Sequence, residues 1–263
     1  MLDIVRVTLK GIFRDRVFHG ILVAALILPL IPAISRLSMR QVTELSITLS
    51  LSLISFILLL LAVFLGGTSL WRDMERRYTF SVLSLPITRG SYLLGRFLGV
   101  ALFLFLAALL LGCVAAAVVL FVSGSFPPER PIVWINIICA ILFDALKYIL
   151  LVAVSVLFST VSTSFFLPIF GTISVFIAGN ASQQVYDYVH SQAGQVLPPF
   201  IRSCASGLYY LLPNFSAFDL KVNAIYGVPL NGSGIALTLG YLVIYAGLLL
   251  SFAAILFSRR EMK

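Results

Sequence analysis

An all-α, polytopic membrane fold with six transmembrane helices is predicted by three observations on this 263-residue chain. It is 60% hydrophobic and 11% charged, with a mean hydropathy of +1.08, which leaves too little polar surface to clothe a soluble globule of this length. Between residues 47 and 70 there is no charge, and comparable apolar blocks recur five more times. At about 1.5 Å of rise per residue that block covers roughly 36 Å, enough to cross a hydrocarbon core of about 30 Å. Lipid satisfies no exposed backbone amide, so each block reads as a helix.

The first element lies ahead of the spans. Leu2, Val5, Leu9, Ile12 and Phe13 share one helical stripe, while Asp3, Arg6, Lys10 and Arg14 fall away from it. Residues 1–16 are therefore predicted as an interfacial helix, apolar side on the membrane and cations toward anionic headgroups. The spans follow at 17–35, 47–70, 92–122, 132–158, 161–178 and 235–257. Pro29 and Pro32 near the end of the first, and Pro168 and Gly171 within the fifth, predict kinks.

An even number of spans puts both termini on one side, and the basic residues choose it. Arg6, Lys10, Arg14, Arg16, Arg72, Arg76, Arg77, Arg89, Arg96, Arg259, Arg260 and Lys263 make twelve of the 18 Lys and Arg on that side. The other face holds five: Arg36, Arg40, Arg130, Arg202 and Lys221. The positive-inside rule makes the termini and the joint between spans two and three cytoplasmic. With this distribution the net charge of +8 signals membrane orientation and not nucleic-acid binding.

That joint, residues 71–91, is predicted to carry a coupling helix. Trp71, Met74, Tyr78, Val82 and Leu85 recur at helical spacing, and Pro86 supplies a stop. Arg72, Arg76 and Arg77 interleave with Asp73 and Glu75. A plain connector needs the cations alone, whereas a docking surface for a soluble partner uses the acidic and aromatic residues as well.

Asp144 and Lys147 fall near the middle of span four, where a lone charge costs from about 2.5 to above 10 kcal/mol. Two roles are open to them. At i and i+3 they face the same side and can neutralise one another, or they face a dimer seam or substrate path, with Tyr148 extending the polar patch. The long connection 180–231 is expected outside. Its stretches 196–201 and 207–213 are too apolar for a solvated loop and too broken for a span, which predicts short re-entrant helices closing an exit. Tyr209, Tyr210, Pro213, Asn214 and Asp219 are the candidate gate residues, with Asp219 and Lys221 anchoring the return to the headgroups.

Several function classes find no support. His19 and His190 fall on opposite predicted faces, no H-E-x-x-H occurs and no acids have metal-ligand spacing, so neither catalysis nor a metal is expected. Cys113 and Cys139 lie in spans and Cys204 alone in a polar connection, which provides no disulfide framework. A secondary transporter would place ionisable elements at matching positions of two repeats, and no repeat is evident. A scaffold subunit without transport of its own has nearly the same sequence requirements.

Residues 75–89 (ERRYTFSVLSLPITR), followed by YLLGRFLG at 92–99, resemble the signature loop of the type-2 permeases of ATP-binding-cassette exporters. The run 209–219 (YYLLPNFSAFD) resembles the Pro-Asn element that those permeases carry before the last span. The resemblance extends over essentially the whole chain as a single permease domain, 1–263. It implies a half-transporter in the cell inner (plasma) membrane, paired with a second copy or a paralogous permease and set over two copies of a cytoplasmic ATPase. No G-x-x-x-x-G-K-[ST] is encoded here, so ATP and Mg are expected in that partner and no cofactor in this chain. Contact with the ATPase is expected through Arg72, Asp73, Glu75, Arg76, Arg77, Tyr78, Leu85, Pro86 and Arg89. Membrane lipids are the other expected partner.

Overall fold

The computed structural model describes residues 2–13, 16–25, 27–35, 41–75, 88–128 and 130–259, and among them every regular element is a helix. In chain order these are α1 (Leu2–Phe13), α2 (Arg16–Ala25), a 3-10 turn at Leu28–Leu30, and α3 (Ile31–Ser35). The long elements follow as α4 (Val42–Glu75), α5 (Arg89–Ser125), α6 (Trp134–Val161) and α7 (Phe166–His190). A broken stretch holds a 3-10 turn at Ala193–Val196, α8 (Pro199–Leu211), a 3-10 turn at Ser216–Phe218 and α9 (Lys221–Tyr226). The last element is α10 (Gly232–Arg259).

Among the described residues five helices are long and apolar enough to cross a membrane: α4, α5, α6, α7 and α10. The expected first span is the exception. It runs as helix, 3-10 turn and helix, because Pro29 and Pro32 each remove an amide donor within four residues. The fifth expected span, 161–178, is displaced: α6 continues to Val161, and α7 starts at Phe166 and runs on to His190. Residues 180–190, expected in the external connection, are thus the last turns of a long helix. Trp71 to Glu75 likewise continue α4 instead of opening a separate coupling helix. The remainder of that expected helix, from Arg76 through Tyr78, Leu85 and Pro86, lies outside the described residues.

Helix α6 is the axis of the bundle, with α4, α5, α7 and α10 packed around it. Its Ala145, Leu150, Leu151, Val152 and Ala153 are sealed from solvent, whereas α10 turns Leu237, Val243, Ile244 and Leu248 outward. In a bilayer an outward apolar face is solvated by lipid tails, so exposure of this kind carries no penalty. Polar side chains brace the helices: Ser159 Oγ donates to the Gly67 carbonyl at 3.0 Å, and Asn136 Nδ2 to the carbonyls of Asn223 and Val228 at 2.9 Å.

Helix α1 lies against the first turns of α5 and is seated by two glycines. A methyl at Gly95 would lie 2.8 Å from Ile4 Cγ2, and one at Gly99 would lie 2.6 Å from Thr8 Cβ. This is the small-xxx-small notch that lets two helix backbones approach. The buried face of α1 is consequently Ile4, Thr8 and Ile12, not the whole of the expected stripe. Leu2 and Phe13 remain outside as an apolar flank, beside the exposed Arg6 and Lys10. Gly99→Leu should overpack the notch by about 1–3 kcal/mol, raising tryptic cleavage after Arg6 and Lys10 by roughly ten-fold or more. Cleavage at the parental rate would show that α1 is held elsewhere.

Candidate functional site

The residues expected to carry function gather at three levels of the bundle. The first is the end at which α1, the start of α5 and the ends of α4 and α10 meet. Tyr92 and Arg96 are one helical turn apart on α5, and both reach Asp73 in the last turn of α4. Arg96 pairs with Asp73 Oδ2, and the Tyr92 hydroxyl donates to the same oxygen. Arg96 Nε also donates to the Tyr92 oxygen at 3.4 Å, and its Nη1 to Thr8 Oγ1 at 3.2 Å. Thr8 Oγ1 in turn donates to the Ile4 carbonyl at 2.8 Å. The Arg96 and Asp73 side chains are 12% and 14% exposed, a partly desolvated setting in which a charge-assisted bond is strong and an orphaned charge costly.

A second tie closes the same end. Arg89 Nη1 donates to the Ser258 carbonyl at 3.0 Å and the Phe257 carbonyl at 3.4 Å, placing a cation on the last carbonyls of α10, where the helix dipole is negative. Thr88 caps α5 by accepting from the Ser91 amide at 3.2 Å, and the Tyr92 ring stacks on Phe257 at 6.3 Å. Arg72 Nη2 donates back to Thr68 Oγ1 at 2.9 Å, Trp71 lies 5.7 Å from the Phe165 ring, and Glu75 is exposed. Both flanks of residues 76–87 are therefore fixed, Asp73 to α1 and α5, and Arg89 to α10. Arg76, Arg77, Tyr78, Leu85 and Pro86 lie outside the described residues.

The second level is the middle of α6. Asp144 and Lys147 are 6% and 4% exposed, and they pair with each other. Ser55 on α4 donates to Asp144 Oδ1 at 3.2 Å, and its oxygen lies 2.7 Å from the Tyr148 hydroxyl. The Lys147 ammonium sits 4.7 Å from the centre of the Tyr148 ring. The network closes between α4 and α6 of one chain, as mutual neutralisation requires. Ser55 was not a candidate from the sequence, where it is one hydroxyl among Thr48, Ser50 and Ser52 in the same apolar run.

The third level is the opposite end. The turn after α8 is pinned to α7 and α10. The Asn214 amide donates to the Tyr241 hydroxyl at 2.9 Å, and Asn214 Nδ2 donates to Gln183 Oε1 at 2.7 Å. The Tyr209 hydroxyl donates to the same Gln183 oxygen at 3.1 Å, and Ser216 Oγ to the Asn180 carbonyl at 2.9 Å. Pro213 and Phe215 occupy the space that a side chain at Gly179 would need. Tyr209 stacks on Tyr186 at 4.2 Å, and Tyr210, 73% exposed, meets Tyr209 edge-on at 5.4 Å. Asp219 Oδ1 accepts from the Lys221 amide at 3.1 Å and so starts α9. Gln183 and Tyr241 are the partners that sequence reasoning missed. Removing the Asn214 side chain (Asn214→Ala) breaks its bond to Gln183, and amide exchange across 209–216 should quicken by roughly ten-fold; unchanged exchange would mean that the ties through Tyr241, Tyr209 and Ser216 hold the turn without it.

Among the described residues no three His, Cys, Asp or Glu side chains come together as a metal site, and the three cysteines are unpaired. What the arrangement offers is mechanical: polar and charged knots at three levels of a helical bundle, and a fixed residue on either side of 76–87. A family model described as ABC-2 family transporter protein matches residues 5–262. No curated protein matches the sequence.

Proposed function

The chain belongs to the ABC-2 transporter family, and on that premise we propose that it is the permease half of an exporter, paired with a second permease and driven by two cytoplasmic ATPases. As a permease it is a membrane subunit and not itself an enzyme, so binding and hydrolysis of ATP with Mg fall to the partner. We place residues 71–91 on the cytoplasmic face of the plasma membrane together with both termini, following the distribution of Lys and Arg.

The observation that supports this reading most directly is the anchoring of both flanks of 76–87. A segment pushed by a closing ATPase pair transmits force only where its ends are tied to helices. Here Asp73 ties one end to α5 and, through Arg96, to Thr8 of α1, and Arg89 ties the other to the end of α10. Displacement of the segment then tilts α4 and α5 together, moving the dimer between packed states. The external turn around Pro213 and Asn214 serves as the gate that yields to this tilt, and the Asp144–Lys147 knot keeps α4 and α6 in register during it.

The test is charge reversal of two coupling residues, Glu75→Arg with Arg76→Glu, in the full chain co-expressed with its ATPase. Co-purification of the ATPase should fall by roughly ten-fold or more, equivalent to about 1.4 kcal/mol, while the permease still inserts and dimerises. Intact co-purification with intact transport would remove the docking assignment.

A further inference from the structure

On the surface between α5 and α6, lined by none of the residues of the external turn or the coupling end, lies a depression of about 270 Å3. Side-chain size creates it. Gly112, Cys113 and Ala116 of α5 stand opposite Trp134 and Ile138 of α6, with Leu109 at the lower end. At the floor the two helices touch, because a methyl at Gly112 would already lie 3.2 Å from Ile141 Cδ1. The walls are apolar and open outward: Ile138 is 52% exposed, and Cys113 is exposed.

Its placement in depth is informative. The α6 wall runs from Trp134 to Leu142, about 12 Å at 1.5 Å per residue. One leaflet contributes half of a hydrocarbon core of about 30 Å, so the groove has the length of a leaflet. Trp134 opens α6 and is 36% exposed, and an indole at the end of a span suits the headgroup level, while Leu109 lies near the middle of α5. Arg130 precedes Trp134 by four residues, is exposed, and lies 5.5 Å from the Tyr226 ring centre, so a cation stands at the same end of the groove as the indole.

We propose that this groove is a binding site for one acyl chain of a phospholipid in the leaflet at the α5–α6 loop end, its phosphate at the level of Trp134 and Arg130. A hydrocarbon chain is slender and fits a depression one leaflet long. A second copy of the protein would have to present a helix about 10 Å across, which cannot enter, and would need about 800 Å2 of matching surface per partner. A polar cargo finds almost no polar surface on these walls. The site requires only that the bundle span a bilayer, and it stands whether or not the transport proposal does.

The test uses the full chain in vesicles of phosphatidylethanolamine and phosphatidylglycerol, doped with a phospholipid carrying a diazirine either next to its acyl carbonyl or at its terminal methyl. After photolysis, adducts are mapped by peptide mass spectrometry. The carbonyl-proximal probe should mark the Trp134–Ile138 level, and the terminal probe Leu109 and Cys113. Both should exceed labelling of the exposed Val243 and Leu248 on α10 by roughly five-fold, equivalent to about 1 kcal/mol of preference. Ala116→Phe and, separately, Ile138→Phe fill the groove and should abolish the excess while α10 labelling persists, which also reports that the bundle is intact. Three results would overturn the proposal: equal labelling of groove and α10, a reversed depth order, or efficient Cys113–Cys113 cross-linking between copies with no lipid adduct, which would assign the groove to a second chain.

Discussion

Arg96→Met is expected to give a permease that still binds its ATPase but no longer couples hydrolysis to transport, with a thermal midpoint lowered by roughly 10 °C. The reasoning starts from what remains after the change. Asp73 keeps its charge and its Tyr92 donor but loses the guanidinium, and Thr8 loses its tie to α5. Breaking a buried ion pair by removing one partner typically costs about 3–5 kcal/mol, mostly through the charge left behind. Asp73 stands three residues before the segment proposed to meet the ATPase, so an unanchored flank absorbs the push in place of α4 and α5. Arg96→Lys separates charge from geometry. It restores a cation but cannot serve Asp73, Tyr92 and Thr8 at once, so stability should recover further than transport. The measurements are thermal denaturation in detergent and the ratio of transport to ATP hydrolysis in proteoliposomes. An unchanged midpoint together with an unchanged ratio would show that the knot carries no load.

Lys147→Met is expected to be the most damaging single change within the bilayer, and adding Asp144→Asn is expected to relieve it. Alone, the first leaves a carboxylate buried at 6% exposure with only the Ser55 hydroxyl and its neighbour Tyr148 to offset it. The double variant leaves no net charge, and the amide can still accept from Ser55. Folding should therefore fall by about 3–5 kcal/mol in the single and regain most of that in the double. Yields of assembled protein by size-exclusion chromatography and transport rates decide the matter. Equal damage in both variants would assign the pair a direct role on the substrate path, since a neutral pair would then be no better than an unpaired charge.

The long helices are legible in the sequence because hydropathy is a property of composition, and α4, α5, α6 and α10 all fall where apolar runs predict them. Their ends are less legible. Residues 180–190 mix Asn, Ser, Gln and Asp with Tyr and Val, so they resemble a loop in hydropathy while keeping helical hydrogen bonds in α7. The Asp144–Lys147 pairing follows from i, i+3 spacing on one helix. Its partner Ser55 does not, because contact across helices depends on rotations that no local pattern contains. The same holds for Gln183 and Tyr241 around Asn214. On α1 the expected stripe left out Ile4 and Thr8, yet the face against α5 includes both, chosen by the notch at Gly95 and Gly99 and by Arg96 and not by hydropathy.

The glycine notch also sets an order of events during synthesis. Thr8 and Arg96 are separated by 88 residues, so at about 5–20 residues per second α1 leaves the ribosome several seconds before its seat exists. For that interval it has no helix to rest on, and its outer apolar flank and the adjacent cations give it a berth on the lipid surface. The same helix is thus a passenger of the bilayer first and a strut of the protein afterwards, and the late docking marks the moment at which the start of α5 has been inserted in register.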